Sequence, residues 1–115
     1  MKRGEIWTVA GGADYAGKPR PAVVVQDDHF DATRSITVCA ITTDPTEAPL
    51  FRIQIEPSAQ NGLRARSRLM VDKVATVPRQ KLGVRLGRLS GEDVVRLNQA
   101  LVVFLGLAGS PRPSR

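Results

Sequence analysis

The apolar positions of this chain change period several times, and each change predicts a different element. Residues 4–9 alternate, with Ile6 and Thr8 on one side and Trp7 and Val9 on the other, which predicts a strand. Residues 10–19 lose that alternation, gather Gly11, Gly12 and Gly17, and read as a loop. Residues 21–26 form a second strand whose unbroken Ala22-Val23-Val24-Val25 run implies burial on both faces. A polar stretch, 27–34, with room for one helical turn, precedes a third strand over 35–41. A proline-bearing loop over 43–49 leads to a fourth strand over 51–56, where Phe51, Ile53 and Ile55 alternate with Arg52, Gln54 and Glu56. Asn61-Gly62 marks a turn, 68–71 and 74–77 read as two short strands, and Pro78 opens a brief helix over 78–82. Residues 84–89 are a weaker strand or connector.

The period then becomes helical. Ser90 is a capping residue with Asp93 three positions on, and Val94, Leu97, Leu101 and Leu105 follow at helical spacing, with Val102 and Phe104 widening the stripe. This helix should end near Gly106, and residues 108–115 read as a disordered tail. Several short strands with one terminal helix make a mainly β (α+β) chain, a small, curled, mostly antiparallel barrel with short helices and a C-terminal helix. With no internal repeat or interior linker in 115 residues, residues 1–107 are expected to form one domain.

Composition narrows the picture. Aromatics are only 4% of the chain, so the core should be aliphatic. Cys39 is the single cysteine, which excludes an intrachain disulfide; its place in an apolar run makes it a small buried hydrophobe. The first residues lack the apolar stretch of a signal peptide, and the apolar run near 101–105 is too short to span a bilayer, so a cytoplasmic protein with no membrane partner is expected. The net charge of +6 comes mostly from arginine, whose planar fork suits phosphate groups. Composition alone does not separate a polyanion-binding surface from the arginine bias of a GC-rich genome.

One local pattern carries chemistry. Arg20, bracketed by Pro19 and Pro21, stands at the mouth of the second strand, and Thr42 and Thr43 close the third. A guanidinium and a hydroxyl at the ends of two neighbouring strands could hold a phosphodiester; equally, Arg20 could shield a strand end, and the threonines could be ordinary β-branched strand residues. Asp14 and Tyr15, in the loop before Arg20, and Lys18 are further candidates for catalysis or for binding an anionic chain. His29, the only histidine, excludes a paired-histidine mechanism and reads as a solvated loop residue. The carboxylates around it, Asp27, Asp28 and Asp31, read as a turn cluster, so no metal site is assigned. Arg64, Arg66 and Arg68 alternate, which in an extended segment sets them on one face, either as a solvated edge or as a contact surface.

Together these segments resemble the MazF/PemK-type toxins. The similarity is carried by Gly4-Glu5-Ile6-Trp7, the glycine-rich loop, Lys18-Pro19-Arg20-Pro21-Ala22-Val23-Val24-Val25-Gln26, Ala40-Ile41-Thr42-Thr43, Asn61-Gly62-Leu63, residues 69–77, Leu86-Gly87-Arg88-Leu89 and Leu97-Asn98-Gln99-Ala100-Leu101, in that order. The resemblance implies an SH3-like barrel with a C-terminal helix, working as a homodimer without a cofactor. It implies a sequence-specific, metal-independent endoribonuclease that cuts single-stranded RNA, leaving a 2′,3′-cyclic phosphate and a 5′-hydroxyl. It also implies a cognate antitoxin whose disordered tail lies over the RNA groove. The family's catalytic arginine and threonine fall on Arg20 and Thr42.

Such a reaction needs in-line geometry, neutralisation of the phosphate oxygens, and proton movement. Arg20 suits the second task; with a pKa above roughly 12 it is a reluctant acid. Thr42 can offer a hydroxyl but is a poor base, so the base is left unassigned, with water and Asp14 as the candidates for taking the 2′-hydroxyl proton. The alternative on the same fold is a CcdB-like inhibitor that binds DNA gyrase without catalysis. That family relies on a helix end finishing in Trp-Gly-Ile, whereas here Trp7 is the only tryptophan.

Overall fold

A computed structural model describes residues 1–11, 18–48 and 50–109. Its strands in chain order are β1 (Glu5–Val9), β2 (Arg20–Val24), β3 (Ser35–Thr42), β4 (Arg52–Ile55), β5 (Ser67–Pro78) and β6 (Leu82–Arg88), followed by the helix α1 (Gly91–Phe104). All pair antiparallel in one curled sheet of order β4-β5-β3-β2-β1-β6. Single 3₁₀ turns, Asp28–Phe30 and Arg79–Lys81, occupy the positions expected for short helices.

The sheet is apolar on both faces, as the Ala22-Val23-Val24 run implies. One face buries Ile6, Val23, Cys39, Ile41, Leu69 and Val71 against Leu97 and Ala100 of α1. The other gathers Ala22, Val24, Ile36, Val38 and Leu82 with the half-buried Trp7, Val9 and Val77, and no helix covers it among the described residues. Each fully buried aliphatic side chain contributes about 1.5–3 kcal/mol, which makes the helix-covered face the main source of stability.

Three expectations need correction. The strands expected over 68–71 and 74–77 are one strand, β5. Against β3 it pairs Cys39 with Val74 and Ile41 with Leu69, so residues 70–73 bulge opposite Ala40, whereas against β4 the register is unbroken. The polar pair Asp72-Lys73 interrupts the apolar run at this bulge, where Arg52 grips Asp72 through Nε–Oδ1 (3.0 Å) and Nη2–Oδ2 (3.2 Å). Nor do Arg64, Arg66 and Arg68 share a face. Residues 64–66 precede the strand, Arg64 and Arg66 are exposed, Arg66 pairs with Glu56, and Arg68 is buried. Finally, Val102, Phe104 and Leu105 are exposed rather than part of the packed stripe; of the three, Phe104 keeps a ring contact with Phe51, 6.2 Å between centroids.

The helix ends obey their sequence signals. Ser90 Oγ accepts from the Asp93 amide at 3.1 Å, while the Asp93 carboxylate turns to Arg96 instead of reaching back to the cap. Gly106, at φ +74, closes the C-terminus as its amide bonds the Val103 carbonyl and the Leu107 amide bonds that of Val102. Residues 56–62 leave β4 and reach the β6 edge, where Arg88 N donates to the Gln60 carbonyl at 2.9 Å. A Cβ on Gly87 would collide with the backbone of Gln60 and Asn61, so this close approach requires glycine. Buried Asn61 fixes the turn, its Oδ1 accepting from Ser58 N (2.9 Å) and Leu63 N (3.0 Å), its Nδ2 donating to the Glu56 carbonyl (2.8 Å).

Candidate functional site

β2 begins at Arg20. Pro21 supplies no N–H, which is tolerated at the first residues of a strand. Alternation sets Arg20, Ala22 and Val24 on the face away from α1, and Arg20 pairs with Val9 of β1. Between β2 and β3 the register is Ala22 to Ala40, Val23 to Cys39 and Val24 to Val38. That pairing ends at Ala22 and Ala40, and two residues beyond it on each strand stand Arg20 and Thr42. The two residues singled out in the sequence thus share one face and one end of adjacent strands, Arg20 exposed and Thr42 half-buried.

Beside them lies a hollow of about 230 Å³ with Arg20 and Lys73 at its rim and Ala22, Ala40 and Ala75 among its lining, flanked by Val9 and Val77. Its walls are almost wholly apolar, and Arg20 and Lys73 are the charged residues among those that form it. Lys73 reaches this rim from the β5 bulge. The sequence reading passed over it; the polar break between two predicted strands was the available signal. Trp7, on the same face, is held by its indole N–H donating to Glu5 Oε1 at 3.1 Å. Burial works against the Glu5 carboxylate, but the Lys2 amide, the Trp7 indole and Arg85 together hold its pKa below the usual range.

The turn after Thr42 is tightly bonded. Asp44 N donates to Thr42 Oγ1 at 3.1 Å, and Asp44 Oδ1 accepts from the Thr46 amide (2.9 Å) and hydroxyl (2.7 Å). The Thr46 bonds, with weaker help from Arg52 and Arg68, lower the Asp44 pKa. On the other side, the hydrogen bond from Arg52 lowers that of Asp72. A carboxylate held ionised by donors is a weakened base, so neither Asp44 nor Asp72 suits proton abstraction.

The remaining candidates are distributed around this end. Lys18 is exposed just before β2, and Thr43 is exposed just after β3. Asp14 and Tyr15 lie outside the described residues. His29 is exposed in its turn, where Asp27 accepts from its amide, Asp28 accepts from Arg3 N, and Asp31 pairs with Lys2. Cys39 is buried, and desolvation pushes its thiol up to about 12, far from a reactive thiolate. Larger hollows of about 480 and 430 Å³ lie elsewhere, but neither is lined by Arg20 or Lys73. Among the described residues, no group of three His, Cys, Asp or Glu side chains could hold a metal ion, and no helix is long and apolar enough to cross a membrane.

Residues 2–105 match the family described as PemK-like, MazF-like toxin of type II toxin-antitoxin system. The chain is 56% identical over 109 residues to a probable endoribonuclease MazF of Mycolicibacterium smegmatis, covering 95% of this chain and 100% of that one. It is 30% identical over 117 residues to endoribonuclease MazF9 of Mycobacterium tuberculosis, covering 93% and 98%. Its fold superposes on a mycobacterial endoribonuclease solved in complex with its cognate antitoxin, with TM-score 0.78 at 22% identity over 98% of this chain and 99% of that one.

Proposed function

The chain belongs to the PemK-like, MazF-like toxin family of type II toxin–antitoxin systems, and on that premise we propose that it is an endoribonuclease cutting single-stranded RNA at the Arg20–Thr42 end of the sheet. What supports this reading is the antiparallel β2–β3 pairing, which brings the strand end that bears Arg20 and the strand end that bears Thr42 to the same side of the sheet, near a hollow lined in part by Arg20 and Lys73.

In the proposed reaction the RNA 2′-oxygen bonds to its own phosphorus and the bond from phosphorus to the 5′-oxygen breaks. The products are a 2′,3′-cyclic phosphate and a 5′-hydroxyl. Arg20 grips the non-bridging oxygens and offsets the charge that grows on them. Thr42 donates its hydroxyl hydrogen to the phosphate, since one lone pair is already engaged by the Asp44 amide. The 2′-hydroxyl proton passes to water or to Asp14, a choice that Asp14→Asn decides, and the departing 5′-oxygen takes a proton from water to become the 5′-hydroxyl. Lys18 and Lys73 attract the RNA backbone, and Tyr15 stacks on a base. Residues 1–107 act as one cytoplasmic toxin domain that works as a homodimer. A cognate antitoxin, of the kind seen in complex with the mycobacterial structural relative, covers the groove.

Purified protein incubated with mixed RNA in EDTA tests the reading. Cleavage should leave 5′-hydroxyl ends and fall by about 10²-fold or more in Arg20→Ala and Thr42→Ala, with both variants melting as wild type. Undiminished cutting by Arg20→Ala would sink the site assignment. Gyrase inhibition without RNA cleavage would establish the non-enzymatic alternative, and loss of cutting in EDTA with rescue by a divalent cation would overturn the metal-independent step.

A further inference from the structure

We infer that Arg68 is a positioning residue for this reaction: it pins the turn after β3 so that the Asp44 amide engages the Thr42 oxygen and the Thr42 hydrogen is left to the phosphate. The inference rests on the site reading above.

Arg68 is only 7% exposed, although its neighbours in the buried half of β5 are Leu69, Met70 and Val71. In register it stands opposite Thr42 on β3 and opposite Gln54 on β4. A guanidinium is costly to bury unless its donors are used, and here they are used across the site. Nη1 donates to the Asp44 carbonyl at 3.1 Å, and Nη2 donates to Glu47 Oε1 at 3.0 Å and weakly to Gln54 Oε1 at 3.5 Å. Glu47 is 80% exposed, so its ion pair with Arg68 adds little stability. What the side chain does is tie both ends of an otherwise exposed turn, 44–47, to the strand beside Thr42.

That tie has a chemical consequence. A hydroxyl carries one hydrogen and two lone pairs. Arg68 holds the Asp44 carbonyl on one side of that residue's Cα, and the Asp44 N–H on the other side sits 3.1 Å from Thr42 Oγ1 and occupies one lone pair. The oxygen is thereby a weaker base, and its hydrogen is turned away from the Asp44 amide. A freed turn would let the hydroxyl rotate and spend its hydrogen on water. Thr42 therefore depends on Arg68 for the direction of its donor.

Steady-state cleavage of a single-stranded RNA oligonucleotide by wild type, Arg68→Met, Arg68→Lys, Thr42→Ala and the Thr42→Ala/Arg68→Met double variant tests this, with melting curves as the fold control. Arg68→Met should lower kcat by about 10²-fold with KM nearly unchanged, the cost of misplacing a reacting group. Arg68→Lys, which keeps the charge and part of the bonding, should recover some of that loss. In the Thr42→Ala background, Arg68→Met should lower kcat no further, because both changes remove one interaction. Additive losses, or wild-type kcat in Arg68→Met, would overturn the inference. Full activity of Thr42→Ala would instead overturn the site reading on which it rests. Should Arg68→Met fail to fold, Arg68→Lys takes its place in the same cycle.

Discussion

The two faces of the sheet are built from the same strands and similar residue types, yet they serve opposite ends. The face under α1 is filled by branched side chains, with Ile6, Val23, Leu69, Val71 and Leu97 all sealed from solvent. The opposite face carries Ala22, Ala40 and Ala75 around a hollow that Arg20 and Lys73 also line. Alternation along β2 assigns Val23 to the first face and Arg20, Ala22 and Val24 to the second. The lesson is that a strand buried on both faces can still divide the labour: one face supplies cohesion, and the other withholds volume at one end so that a ligand can enter.

That division can be broken from either side. The largest effect should come from Leu97→Ala, which opens a cavity beneath the helix and should cost about 2–5 kcal/mol in denaturant unfolding while the protein that remains folded cuts RNA at the wild-type rate. Next, Ala75→Phe fills the hollow from an exposed position; cleavage should drop by about 10-fold or more, with stability within about 0.5 kcal/mol of wild type. A matching loss of stability would show that the open face is cohesive after all. Lys73→Gln should weaken RNA binding several-fold and reduce the slope of log affinity against log salt by about 1, read by fluorescence anisotropy across a salt series. The smallest effect concerns the Arg52–Asp72 pair at the bulge. Because the folded-state pKa of Asp72 is lowered, its stabilisation is present above the ordinary carboxylate pKa of about 4 and is lost as pH falls through the depressed value. Asp72→Asn should thus cost on the order of 1 kcal/mol at neutral pH, and melting curves of the variant and wild type should converge in acid.

Much of this plan is legible in the sequence because it rests on local period. Strict alternation marks β1 and β4, the aliphatic run marks β2, and the Ser90 and Gly106 signals delimit α1. That Arg20 and Thr42 end neighbouring strands is legible too, since those strands are consecutive and pair antiparallel. What escapes is whatever depends on two partners at once. The bulge in β5 exists only relative to β3, so no pattern within residues 67–78 distinguishes it from a break between strands. Arg68 looks like its neighbours Arg64 and Arg66 until the turn carrying Asp44 and Glu47 comes to rest on it. Val102 and Phe104 keep helical spacing although both stay exposed.

The turn that reaches from β4 to the β6 edge bears on how the protein behaves when it is abundant. An uncovered edge strand is a template for pairing with another chain, and cells restrain such edges to keep proteins from assembling into insoluble sheets. Here the Gln60 carbonyl already occupies the Arg88 amide, and the bare Cα of Gly87 lets the turn lie flush against the strand. A side chain at position 87 would lift that cover and expose the edge. Its first symptom would be poor solubility on overproduction, arising even where every residue of the RNA-facing end remained intact.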